Sequence, residues 1–111
     1  MQTVIVTFSL ADLGDEDFRD TAAQVAPAFS AVPGLSAKLW LADDGSGTYG
    51  GVYLFESAGA AEAYLSSELF AEAVLENPHL ADVAIRRADV LADATAHTAR
   101  DLRLPAAAAP A

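Results

Sequence analysis

The chain has 111 residues, with 16 acidic against 6 basic side chains and a net charge of −10, and an isoelectric point near 4.2. That length suits one compact domain and leaves no room for two, and the charge makes nucleic acid and anionic membrane surfaces poor partners. With no cysteine, disulfides, thiolate metal sites and a cysteine nucleophile are excluded.

The start, Met1-Gln2-Thr3-Val4-Ile5-Val6, lacks the basic head and long apolar stretch of a signal peptide. No run reaches the length of a membrane helix, so a cytoplasmic location is expected. Residues 4–10 are β-branched and aromatic and predict a strand, with Val4, Val6, Phe8 and Leu10 on one face and Ile5, Thr7 and Ser9 on the other. Residues 12–17 read as a turn and then an acidic helix start with Asp15 as N-cap, because acidic groups there complement the helix dipole. Phe18, Ala22, Val25, Phe29 and Val32 then recur at steps of four and three, one stripe of an amphipathic helix. Pro27 falls inside that stripe and is expected to kink the helix or end its regular hydrogen bonding early. Pro33-Gly34 stops it.

Two strand-like runs follow, residues 35–41 and 49–55. Between them Asp43-Asp44-Gly45-Ser46-Gly47-Thr48 reads as a hairpin loop. Alternation puts Lys38, Trp40, Gly51, Tyr53 and Phe55 on one face of the pair and Leu39, Leu41, Val52 and Leu54 on the other. An aromatic, partly polar face backed by an aliphatic one suggests a binding surface on a packed sheet. The chain has a single Trp, which gives its place on this face weight.

Ser57 is placed to cap a second helix through residues 60–65, interrupted by Ser66-Ser67. Residues 68–77 predict a further short helix with Phe70 and Val74 on one side. Asn77-Pro78-His79 ends it. Residues 83–91 predict a fourth strand, with Arg86-Arg87 in its middle, and 94–103 a terminal helix. The Ala/Pro run 104–111 is low in complexity and is expected to be a flexible tail. The resulting order is β-α-β-β-α-β over a single domain, 1–103. This is the α+β ferredoxin-like arrangement, an antiparallel sheet with helices on one face. Its uncovered face needs a partner, and two such sheets packed face to face would form a barrel-like homodimer.

Val32-Pro33-Gly34-Leu35, Lys38-Leu39-Trp40, Gly50-Gly51-Val52-Tyr53-Leu54-Phe55, Ala63-Tyr64-Leu65 and Asp89-Val90 occur in that order over roughly the first hundred residues. Together they resemble the YdhR-like monooxygenase family, within the dimeric α/β-barrel superfamily that includes the antibiotic biosynthesis monooxygenases. The resemblance implies a homodimer, a pocket in each subunit between sheet and helices, and oxygenase-type chemistry. Its cofactor-free relatives oxidise phenols to quinones with an Asn and a Trp on the third strand. Those positions hold Gly51 and Phe55 here, a departure from the quinone-forming pattern. Tyr53, Tyr64 and Trp40 match the closer branch as pocket groups.

Trp40, Tyr53, Phe55, Tyr64 and Phe70 can line an aromatic cavity for a planar ligand, or can form an ordinary aromatic core whose polar tips find partners. Lys38, if buried, would have a lowered pKa and could stabilise a phenolate or enolate. It could equally be an edge-strand lysine that discourages aggregation or pairs with a carboxylate. His79 and His97 show no metal-type spacing; the first reads as a loop residue and the second as exposed. Asp43-Asp44-Gly45-Ser46-Gly47 lacks the alternating carboxylates of a cation loop and reads as turn chemistry. Arg86-Arg87 can hold an anion or, in so acidic a chain, salt bridges.

The preferred reading is a homodimer that binds a small planar hydroxyaromatic or polyketide-like ligand and oxygenates it without cofactor or metal. Tyr53, Tyr64 and Lys38 are the catalytic candidates; Trp40, Phe55, Phe70 and Gly51 are the substrate-binding ones. A non-catalytic small-ligand-binding dimer and a cyclase or isomerase on the same scaffold stay open as alternatives.

Overall fold

The computed structural model describes residues 1–99. Strand β1 (Gln2–Leu10) leads to helix α1 (Asp15–Ser30), then to the hairpin of β2 (Leu35–Asp43) and β3 (Thr48–Phe55). Helix α2 (Ala58–Leu65) and a short helix α3 (Glu68–Phe70) follow. A π-helical turn (Ala71–Leu75) continues from α3 and precedes strand β4 (Leu80–Asp89) and helix α4 (Ala92–Thr98). The sheet order is β2-β3-β1-β4, with every neighbouring pair antiparallel. This is the α+β ferredoxin-like arrangement that the element order predicts.

The alternation read from β1 holds. Val4, Val6 and Phe8 are buried, while Ile5 on the opposite face is 36% exposed. The core lies between sheet and helices. Phe29 of α1, Ala61 and Tyr64 of α2, and Phe70 and Val74 beyond it pack on Val4, Val6, Tyr53 and Phe55. The other face of the sheet carries Ile5 and Leu39, both exposed, and no helix covers it among the described residues. Burial of apolar area against the helices is the main stabilising term, at about 25 cal/mol per Å².

Several local expectations shift. Gly14, not Asp15, occupies the N-cap of α1, and no side chain caps it. Asp15 is the first helical residue, and its carboxylate is taken up by Arg19 Nε at 2.8 Å and the Tyr49 hydroxyl at 2.6 Å. Pro27 does not end the helix, which runs to Ser30. The hairpin strands extend through Asp43 and Thr48, leaving a loop of 44–47. There Asp43 accepts from Gly45 N and Ser46 Oγ, which is the turn chemistry expected. Ser57 caps α2 through Ala60 N at 3.0 Å. Strand β4 begins at Leu80, three residues before its expected start. It absorbs a bulge opposite Thr7 and Ser9, where Asp82 has φ +55°. Helix α4 begins at Ala92 and ends at Thr98; the tail expected over 104–111 lies outside the described residues.

A second bulge matters more. Leu35 pairs with Phe55, but Ala37 pairs with Leu54, so β2 carries an extra residue at Ser36. A bulge reverses the side-chain alternation beyond it. Leu35, Trp40 and Ala42 therefore all pack toward the core, and Lys38 pairs with the inward-facing Tyr53.

Candidate active site

The Lys38 side chain is the centre of the site. Its Nζ lies 3.4 Å from the Trp40 ring centroid, 3.7 Å from that of Phe29 and 4.6 Å from that of Tyr53. Two strands and α1 build this box. The Ser36 bulge turns Lys38 and Trp40 inward, β3 supplies Tyr53, and the buried Phe29 comes from the last turn of α1. Gly51 makes the space, because a Cβ there would stand 2.8 Å from Lys38 Cε and 3.4 Å from the Tyr53 ring. Gly51→Ala is therefore expected to displace the lysine with little change in fold, read as loss of ligand binding at a near-constant melting temperature.

No hydrogen bond or ion pair reaches Lys38 Nζ among the described residues. Burial pulls its pKa down from 10.5 to about 7, since an ammonium loses hydration in apolar surroundings. The three ring faces act the other way and favour the charged form. The arginines make different contacts. Arg19 binds Asp15 and the Ala42 carbonyl; Arg87 binds Gln2, Glu62 and the Ala58 carbonyl.

Lys38, Trp40 and Tyr53 line a cavity of about 150 Å³ between sheet and helices. Phe8, Phe18, Val25 and Phe29 supply most of the rest of its apolar wall, and Thr21 and Asn77 are its other polar members. Asn77 is already engaged, donating to Ala73 O at 3.2 Å and accepting from His79 N at 2.9 Å. Ala73 and Val74 reach the cavity from the π-helical turn, a feature that often marks functional sites.

The other named residues sit elsewhere. Tyr64 stands behind Tyr53, outside the cavity, and the two hydroxyls are 2.8 Å apart. Burial raises the pKa of Tyr53 to about 12 and that of Tyr64 further, so both are neutral donors and not bases at ordinary pH. Phe55 and Phe70, 0% and 1% exposed, lie in the packed core against Tyr64. His79 is exposed at the loop, its ring 3.4 Å from Ala11 O. No cluster of metal-ligating side chains occurs among the described residues. Sequence reasoning missed Phe29, Thr21 and Asn77 as cavity groups. One available signal pointed to the site: Lys38 is the only lysine in the chain.

The sheet, the helices over it and the small aromatic cavity walled by one desolvated lysine define an α+β ferredoxin-like fold with a candidate ligand site. The chain belongs to the family described as "Putative mono-oxygenase ydhR", whose model matches residues 4–100. Its fold is shared with the haem-degrader MhuD from Mycobacterium tuberculosis, solved with two haems bound: TM-score 0.66, 20% identity, 84% of this chain and 98% of that one. It is also shared with SnoaB, a cofactor-independent oxygenase from Streptomyces nogalater: TM-score 0.64, 17% identity, 80% and 91% covered. A protein of unknown function from Nitrosomonas europaea aligns over 95% of this chain and 94% of its own, with TM-score 0.62 and 22% identity. No curated protein matches the sequence. No helix of the described residues is long and apolar enough to cross a membrane.

Proposed function

We propose that this protein is a cofactor-independent monooxygenase of a single-ring hydroxyaromatic substrate, with Lys38 as its general base. The observation that carries this reading is a desolvated lysine, with no counter-ion among the described residues, in the wall of a ring-sized cavity. A base works best with a pKa near the working pH, and burial brings Lys38 to about 7. The neutral amine takes the phenol proton, and the ammonium so formed stays beside the phenolate and on three ring faces that favour it. The electron-rich ring then meets O₂ in an apolar site. Trp40 and Phe29 flank the ring. Tyr53, its hydroxyl held by Tyr64, orients the substrate, which makes Tyr64 a positioning residue. Gly51 and Phe55 replace the Asn and Trp of the quinone-forming pattern, so proton transfer falls to Lys38. Phe55 and Phe70 support the site through the core behind Tyr64.

The test is oxygen uptake with a panel of monocyclic phenols, aerobic against anaerobic. Uptake that rises with pH through about 7 and is lost in Lys38→Arg supports the reading, because arginine cannot give up its proton. Product formed at the same rate without oxygen, or full activity in Lys38→Arg, refutes it. Tyr53→Phe is expected to lower turnover by about tenfold, the scale of one hydrogen bond, without changing the oligomeric state.

The same reading includes a homodimer formed through the open sheet face. Two large aliphatic side chains, Ile5 and Leu39, are 36% and 42% exposed there, and their burial on a second copy would add apolar area. Ile5→Glu, on a central strand, is expected to shift the mass measured by light scattering from two chains to one. An unchanged mass would place the interface elsewhere.

A further inference from the structure

The chain uses five arginines and one lysine as its basic residues, and the lysine is the one that faces the cavity. A structural cation on aromatic faces is served as well by arginine, which stacks on rings and keeps its charge. Only lysine can shed its proton and become a nucleophile. Lysines that form imines are typically desolvated in apolar pockets, where the neutral amine is favoured. Lys38 meets that description by position. Its Nζ touches three rings, no carboxylate of this acidic chain pairs with it among the described residues, and open volume lies beside it.

The volume sets the size of the guest. A cavity of about 150 Å³ accepts one benzene-sized ring and has no room for a porphyrin or a tetracycle. Lys38, Trp40 and Phe29 also border a surface depression on the far side, shared with Ala26 and Ser30. The amine therefore stands in the wall between the outside and the cavity, where an entering carbonyl group would meet it.

We propose that Lys38 is a covalent capture site for aldehydes and ketones borne on a single ring, held as an imine between Nζ and the carbonyl carbon. The neutral amine attacks that carbon, and the carbonyl π pair moves to oxygen, which takes up a proton. The nitrogen gives up a proton, the C–O bond breaks, and water leaves as the C=N bond forms. The two amine hydrogens and the carbonyl oxygen depart as that water, so no oxidant or reductant is consumed. The inference shares the cavity of the proposed function and is independent of its oxygen chemistry.

The test incubates the full chain with benzaldehyde and sodium cyanoborohydride at neutral pH, then reads the intact mass and maps the adduct by peptide fragmentation. The N-terminal amine of Met1 is an internal control, since Lys38 is the only side-chain amine. The expected result is one benzyl group per chain on Lys38, saturating with aldehyde. It should form about tenfold or more faster than on free Nα-acetyl-lysine, as a larger neutral fraction requires. Lys38→Arg keeps the charge and should lose the adduct. Label on Met1 alone, no label, or label on Lys38 no faster than on the free amino acid overturns the proposal. Labelling of Lys38 without oxygen uptake would refute the monooxygenase and leave the capture site standing. Oxygen uptake without labelling would do the reverse.

Discussion

Lys38→Met is expected to stabilise the folded chain at pH 6 by on the order of 2 kcal/mol while abolishing oxygen uptake with monocyclic phenols. The lysine is held at a pKa of about 7 against an ordinary 10.5. At 1.36 kcal/mol per pKa unit that penalty is roughly 4–5 kcal/mol, and the three ring faces offset about 1–2 kcal/mol of it. The sign follows from proton counts. Between pH 7 and 10.5 the unfolded chain carries a proton on Lys38 that the folded chain lacks, so stability rises with pH across that window. Below pH 7 both states are charged and the penalty is fully present; above 10.5 both are neutral and it vanishes. The advantage of methionine, similar in length and apolar, should therefore shrink as pH rises from 7 to 10. Above pH 10 the buried tyrosines reverse the trend. Tyr53, at about 12, and Tyr64, higher still, keep protons that the unfolded chain has lost. Chemical denaturation from pH 6 to 11 checks the whole profile. A wild-type stability flat between pH 7 and 10, or a Lys38→Met variant less stable at pH 6, would contradict the desolvated lysine.

Gly50→Ala is expected to leave little folded protein. Gly50 sits at φ +141°, and a Cβ there would come 1.9 Å from Val6 O and 3.0 Å from Thr7 Cα. Both neighbours are backbone of the central strand, so no rotamer change relieves the clash. The β1–β3 ladder would have to part where Thr7 pairs with Gly50 and Val6 with Gly51. A cost on the order of 4 kcal/mol or more takes much of the roughly 5–15 kcal/mol that holds a domain together. Gly47→Ala is the control. Gly47 also has positive φ, +70°, but nothing lies within 4 Å of its Cβ position, so only about 1–2 kcal/mol of backbone strain is expected. Thermal melting of the two variants should separate them widely; equal melting temperatures would show that β1 and β3 can move apart cheaply.

The sheet was readable from the sequence because its alternation is clean. Val4, Val6 and Phe8 announce an inner face, and Lys38, Trp40, Tyr53 and Phe55 share a side in both readings. The site was only half readable, for three physical reasons. The Ser36 bulge leaves no local mark, so alternation does not show that Leu35, one residue out of step, joins Trp40 on the inner face. The third wall of the box, Phe29, looks like any other member of an amphipathic stripe. Phe55 and Phe70 have the same aromatic character as Trp40, yet tertiary packing puts them against Tyr64 in the core. The N-cap of α1 moved from Asp15 to Gly14 because Tyr49 and Arg19, distant or one turn away, compete for the carboxylate. The uniqueness of Lys38 was legible throughout.

Trp40 is the only tryptophan and lines the cavity beside Lys38, so its fluorescence reports directly on whether a ring enters there. Titrating the full chain with a monocyclic phenol should change Trp40 emission saturably, with one ligand per chain, and much more weakly in Lys38→Met. No saturable change up to the solubility limit of the phenol, or an identical response in Lys38→Met, would show that the space beside this lysine is not a binding site.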